Sequence, residues 1–299
     1  MWFWFSIIAL LCWSGSDLFS KIGCREANDK TAHLKMVMAV GIVMGLHACF
    51  EIFVNGVEIN MQIIMTYLPV SLLYIISMAM GYIGLRYIEL SISSPICNSS
   101  GALVAIATIA MSGIGDMNAW QLAAIALVAV GVVALGITEA TEDDELRAAA
   151  GQVPDPRYTK SVIAVAFPLL YCAIDGLGTF VDRLLLDGFI EEASANIAYE
   201  LTFLLMAVFA FIYVVIVKKQ KIVLSQEKPK LVAGLCETAG QLAYIYAIGE
   251  NTIVAAPMIS SYCIASLLWA RIVLKEKLSF KQYLIIAVAA VGIVIMGME

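Results

Sequence analysis

The sequence predicts an all-α membrane protein whose ten transmembrane helices form two inverted five-helix repeats. Three observations carry that expectation. The chain of 299 residues is 62% hydrophobic and 14% charged, with a mean hydropathy of +0.90, whereas soluble domains are about one-quarter charged. Apolar stretches of membrane-crossing length follow one another with mostly short polar breaks between them. Landmarks of the first half return about 160 positions later. Hydrocarbon offers the backbone no hydrogen-bond partners, so only helices or closed barrels can span it. Strand-type alternation is absent, which leaves helices.

The spans are read at 2–23, 34–54, 63–89, 92–113, 119–138, 160–184, 196–217, 231–249, 252–273 and 280–298. The first opens on Trp2-Phe-Trp-Phe with no basic leader and no small-residue cleavage site, so it reads as a membrane helix with interfacial aromatics. The second carries His47 and Glu51 one turn apart, and the third brings Tyr67, Tyr74, Tyr82 and Tyr87. Pro95 opens the fourth after small polar residues, and the fifth ends in Gly131 and Gly136. An acidic loop with Pro154 and Pro156 then divides the chain into a first repeat at 1–139, the loop at 140–159 and a second repeat at 160–299.

The second half repeats these landmarks. Tyr171 precedes Asp175 in the sixth span as Trp13 precedes Asp17 in the first, Pro257 opens the ninth, and Gly292 and Gly297 end the tenth. An odd number of spans per half places the halves in opposite orientations. Lys and Arg gather after odd-numbered spans, among them Arg25, Lys30, Lys35, Lys218, Lys219 and Lys275. The positive-inside rule puts those connections in the cytoplasm and both termini outside.

Several functions are excluded by what the sequence lacks. Ten spans leave no room for a soluble catalytic domain. The net charge of −6 owes much to Glu142, Asp143, Asp144 and Glu145, and no basic patch exists for nucleic acid. Seven cysteines lie mostly inside spans without a CxxC pair, which favours reduced packing thiols over disulfides or zinc. Neither a phosphate-binding GxxxxGK[ST] loop nor HExxH occurs. No catalytic residue, metal or cofactor is therefore expected, and the chain does not read as an enzyme.

Charges inside a span cost about 2.5–3.5 kcal/mol each and need a reason. Trp13, Asp17 and Lys21 share one face of the first span: Trp13 and Asp17 read as a cavity wall, Lys21 as a snorkelling partner of Asp17. Tyr171 and Asp175 are their counterparts, with Gly176 and Gly178 letting another helix approach. Asp182 and Arg183 fall near the span's end and read as interfacial. Glu237, Gln241 and Tyr244 form a polar stripe in the eighth span that cannot face lipid cheaply. Tyr74, Met78 and Tyr82 form a candidate aromatic wall, while Tyr67 and Tyr87 read as belt residues. Asn98 after Pro95, and Tyr262 after Pro257, offer polar groups at helix openings. Glu200 reads as a residue near the headgroups. His47 with Glu51 reads as a structural pair, with a proton relay as the minority alternative.

Tyr246-Ala-Ile-Gly-Glu-Asn-Thr-Ile-Val-Ala-Ala-Pro257, then Leu274-Lys-Glu-Lys-Leu-Ser-Phe-Lys-Gln282, then a glycine-punctuated last span, resembles the EamA-like ten-helix branch of the drug/metabolite transporter superfamily. Trp13-Ser-Gly with Lys21 resembles that family's first helix. The turn after the fourth span departs from the pattern, offering Gly115-Asp116 where the family has Glu. The resemblance implies transport of small metabolites through a central cavity without ATP hydrolysis. The expectation is therefore a multi-pass protein of the cell membrane, contacting lipids and a small-molecule substrate. It alternates access to a midplane site between its repeats. Aromatics beside carboxylates point to a cationic or zwitterionic amine. The alternative is a proton-coupled exporter of drugs or neutral metabolites, with protons as the coupling ion. A monomer is the default, with a dimer as the alternative.

Overall fold

In the computed structural model, described residues comprise 1–25, 29–100, 119–141, 162–186, 189–260, 262–276 and 278–296. The acidic residues of 142–159, Gly115-Asp116 and Gly297 lie outside them. Among the described residues there is no strand. The helices are α1 (Trp2–Cys24), α2 (Ala32–Phe50), α3 (Met61–Gly84), α4 (Leu90–Cys97), α5 (Ala119–Thr141), α6 (Val162–Leu186), α7 (Glu192–Phe211), α8 (Leu224–Ser260), α9 (Tyr262–Trp269) and α10 (Phe280–Met296). Single π-helical segments extend α2 (Glu51–Asn55), α7 (Ile212–Val217) and α9 (Ala270–Leu274).

Among the described residues, five segments are long and apolar enough to cross a membrane: Trp2–Cys24, Ala32–Asn55, Met61–Gly84, Val165–Leu186 and Glu192–Val217. Tyr262–Leu274 and Phe280–Gly292 are shorter apolar helices. The residues that these helices turn outward include Leu46, Phe53, Leu205 and Ile216, as expected of helices whose outer faces meet an apolar medium.

Two element boundaries differ from the sequence reading. Pro95 does not open α4, which starts five residues earlier at Leu90. The reason lies far away in the chain: Glu276 accepts the backbone N–H groups of Leu90 and Ser91 at 3.1 and 3.0 Å, supplying a cap that no neighbouring residue provides. The expected break near residue 250 is also absent, because α8 runs on through Pro257 to Ser260.

The principal helix contacts follow one rule. α1 lies against α8 as α3 lies against α6, α2 contacts α8 as α3 contacts α7, and α1 meets α9 as α4 meets α6. The remaining principal pairs are α2 with α7, α4 with α9, and α5 with α10. Exchanging each of the first five helices for the corresponding one of the last five leaves this set unchanged.

Glycines permit the closest approaches. A Cβ at Gly41 would stand 2.5 Å from the Phe203 carbonyl oxygen, so α2 and α7 meet backbone to backbone at that point. The largest buried cluster, with Met36, Val40, Met44, Phe203 and Ala233, fills the junction of α2, α7 and α8.

Candidate functional site

Between the helices lies a cavity of about 460 Å³, lined from α1, α3, α4, α6, α7, α8 and α9. All eleven candidates, Trp13, Asp17, Tyr74, Tyr82, Asn98, Tyr171, Asp175, Glu237, Gln241, Tyr244 and Tyr262, face this one space. It extends from Ser20, Leu85 and Leu90, which are buried, to Leu186 and Glu192, where the exposed Glu192 brings it to the surface.

Helical period explains why the candidates meet. Trp13 and Asp17 lie one turn apart on α1, while Glu237, Gln241 and Tyr244 follow one face of α8. A Cβ at Gly240 would come within 2.5 Å of Trp13 Cδ1, so only glycine lets the indole lie flat against α8. Trp13 then contacts Tyr244 at 5.2 Å and Tyr262 at 5.7 Å between ring centroids. On the other side Tyr74 meets Tyr199 edge-on at 5.9 Å. The side of Tyr74 packs over Gly178, where a Cβ would stand 3.3 Å from the ring.

Asp17, Asp175 and Glu237 are each held by hydroxyl donors. Ser94 and Ser266 both donate to Asp17 Oδ2, at 2.6 and 2.7 Å. Asp175 Oδ1 accepts from Ser77 at 3.5 Å, and Ser100 donates to the same carboxylate. Ser16 donates to Glu237. Hydroxyls of this kind fix a carboxylate without neutralising it, which leaves its charge for a ligand. Two donors, Trp13 Nε1 and Tyr82 Oη, are buried in the wall without a hydrogen-bond partner among the described residues.

The structure corrects several sequence assignments. Tyr67 is a lining residue, not a belt residue, and donates to Asp182 Oδ1 at 2.6 Å. Asp182 is consequently not interfacial: it also accepts from Tyr74 at 3.3 Å and faces the cavity two turns beyond Asp175. Lys21 does not pair with Asp17 or snorkel. It is fully buried and donates to the carbonyl oxygens of Leu85 and Ile88 at 2.7 and 2.5 Å. Glu200 is 0% exposed and lies 2.9 Å from His47 Nδ1.

Among the lining residues the sequence reading omitted are Ser16, Ser94, Tyr67, Asp182, Asn196 and Tyr199. The signal for Asp182 was present: it stands seven positions after Asp175, hence on the same helical face. The serines had none, because isolated hydroxyls in apolar helices commonly bond their own backbone. Five carboxylates line the cavity (Asp17, Asp175, Asp182, Glu192 and Glu237), and no basic side chain does among the described residues. None of the seven cysteines is in a disulfide, and among the described residues no group of three or more His, Cys, Asp or Glu side chains could hold a metal ion.

No family model matches the chain, and no curated protein does. A solved structure bearing only the description "Crystal structure of protein" shares the fold, with a TM-score of 0.58 and 14% identity over 98% of this chain and 95% of that one.

Proposed function

We propose that this chain is a secondary transporter that carries a small cationic or zwitterionic amine through the central cavity by alternating access. One observation carries the reading: the cavity combines five carboxylates, no lining base and a wall of Trp13, Tyr74, Tyr171, Tyr199, Tyr244 and Tyr262. Such a space is hostile to an anion, whereas an ammonium gains both charge pairing and contact with aromatic faces. A zwitterion's carboxylate would find the unpartnered donors Trp13 Nε1 and Tyr82 Oη.

The exchange symmetry of the helix packing supports a ten-span protein built of two inverted repeats, each side of the cavity having a structural counterpart across it. That architecture is the one implied by the resemblance to the drug/metabolite transporter superfamily. It provides one complete pathway per chain and so favours a monomer in the cell membrane. The closed end of the cavity lies beside Lys21 and Glu276, on the face whose connections carry Lys30, Lys35, Lys218 and Lys275. With basic connections inside, this conformation faces outward. The proton-coupled export of neutral compounds remains the second reading, favoured by the carboxylates alone.

Binding of choline, amino acids, sugars and inorganic anions to the purified protein, followed by thermal unfolding, tests the reading. Stabilisation by cations or zwitterions that disappears in Asp175→Asn is expected. Stabilisation confined to anions, or an unchanged cation response in Asp175→Asn, would discard it.

A further inference from the structure

We propose that His47, Glu51 and Glu200 form a proton-binding site, separate from the cavity carboxylates, whose occupancy is transmitted to the cavity through Asn196 and Gln241. The coupling half of this proposal rests on the transporter reading, while the proton site itself does not.

The site lies in the seam where α2 meets α7. His47 Nδ1 stands 2.9 Å from both carboxylate oxygens of Glu200. On its other side Nε2 stands 3.4 Å from Glu51 Oε1, buried and without a well-directed hydrogen bond. Glu200 and Glu51 are the charged side chains that act on the imidazole, one from α7 and one from the π-helical extension of α2. The other helices packed on α2, namely α1, α3 and α8, bring no charged group within ion-pairing distance of the imidazole among the described residues. The side chains of His47 and Glu51 keep 16% and 17% exposure while Glu200 has none, so a proton can enter from the surface and stop at a buried acceptor.

Charge balance makes the site responsive. An isolated ionised carboxylate without solvent contact is costly, so Glu200 needs either an imidazolium partner or a proton of its own. Both arrangements hold the same number of protons, and the proton moves between Nδ1 and the carboxylate without changing net charge. The third group, Glu51, lets the site take up or release one further proton.

A hydrogen-bonded chain leads from the site to the cavity wall. Asn196 Nδ2 donates to Glu200 Oε1 at 3.3 Å, and Gln241 Nε2 donates to Asn196 Oδ1 at 3.2 Å. Asn196 and Gln241 both line the cavity, and Gln241 stands one turn from Glu237 on α8. A proton on Glu200 Oε1 makes that oxygen a donor and a weaker acceptor from Asn196, so the Asn196 amide shifts and takes Gln241 with it. By linkage, a cation near Glu237 then alters proton occupancy as much as the proton alters cation affinity. That reciprocity is what exchange of a proton for an amine requires.

The chain has two histidines, so histidine-selective 15N labelling of the full-length protein in lipid nanodiscs, with His33→Gln to assign the signals, reads His47 directly. The expected result is a His47 imidazole whose protonation changes within the pH range over which the protein stays folded. Its midpoint should shift by about half a pH unit or more in Glu200→Gln, and by a few tenths in Glu237→Gln. Should Glu200→Gln fail to fold, Glu51→Gln provides the same comparison from the accessible side. An imidazole held in one protonation state across that range overturns the site. A midpoint that ignores Glu237→Gln overturns the coupling. Choline is the cationic probe because its ammonium carries no titratable proton. Failure of choline to bind, with the response to Glu237→Gln intact, would sink the transporter reading and leave the proton site standing.

Discussion

Ser91 binds Glu276 twice, its backbone N–H and its hydroxyl both reaching Oε2, at 3.0 and 2.8 Å. The two residues are separated by most of the chain, yet this contact starts α4. At the preceding turn Lys21 holds the carbonyl oxygens of Leu85 and Ile88. A buried ammonium therefore meets orphan acceptors at the end of α3, and a buried carboxylate meets orphan donors at the start of α4. Each charge has the sign that the adjoining helix end favours.

Glu276→Gln should destabilise the protein by about 2 kcal/mol, because an amide retains one acceptor where the carboxylate served three donors. Thermal or denaturant unfolding in detergent measures the loss. Amide exchange confined to α4 would locate it.

Lys21→Met should cost more, about 2–4 kcal/mol, since it strands two carbonyl groups in a site with no solvent contact. Its local signature is faster hydrogen exchange from Leu85 to Ser91, at the closed end of the cavity. A variant with unchanged exchange there would show that Lys21 does not hold that end shut.

Gly240→Ala should weaken choline binding by about tenfold, equivalent to about 1.4 kcal/mol. The added methyl would stand 2.5 Å from Trp13 Cδ1 and must push the indole off α8 and away from Tyr244. Affinity and tryptophan emission should change together, with little loss of folding stability.

Acid should remove a small part of the stability through Asp29, which lies between α1 and α2. Partial burial raises its pKa, but hydrogen bonds from Lys35 and Thr31, together with the Lys35 charge, outweigh this and hold the carboxyl below its ordinary value. A folded-state value below the unfolded one means that the contribution is present above about pH 4 and lost as pH falls through the folded value. Asn at this position should therefore lower stability by no more than about 1 kcal/mol near neutrality, the pair being partly exposed. The difference from wild type should shrink as pH falls below the ordinary carboxyl range and through the lowered folded-state value, as read by unfolding at a series of pH values.

Much of the cavity was legible because a helix has a fixed period. Trp13 with Asp17, Tyr171 with Asp175, and Glu237 with Gln241 and Tyr244 each form a polar or aromatic face on an apolar rod. Lipid repels such faces, so they turn inward whatever the details of packing. Proximity to a span's end was a poorer guide. It assigned Tyr67, Asp182, Glu200 and Lys21 to the interface, yet each is enclosed by another helix.

By itself the sequence determined that the chain is helical and rich in apolar stretches, of which five among the described residues are long enough to cross a membrane. Only the tertiary structure decided which inward faces meet. Pairings such as Tyr67 with Asp182, His47 with Glu200 and Ser91 with Glu276 depend on the rotation and depth of whole helices. In an apolar medium those are set by close packing at points such as Gly41 against Phe203, which an inward-facing polar stripe does not specify.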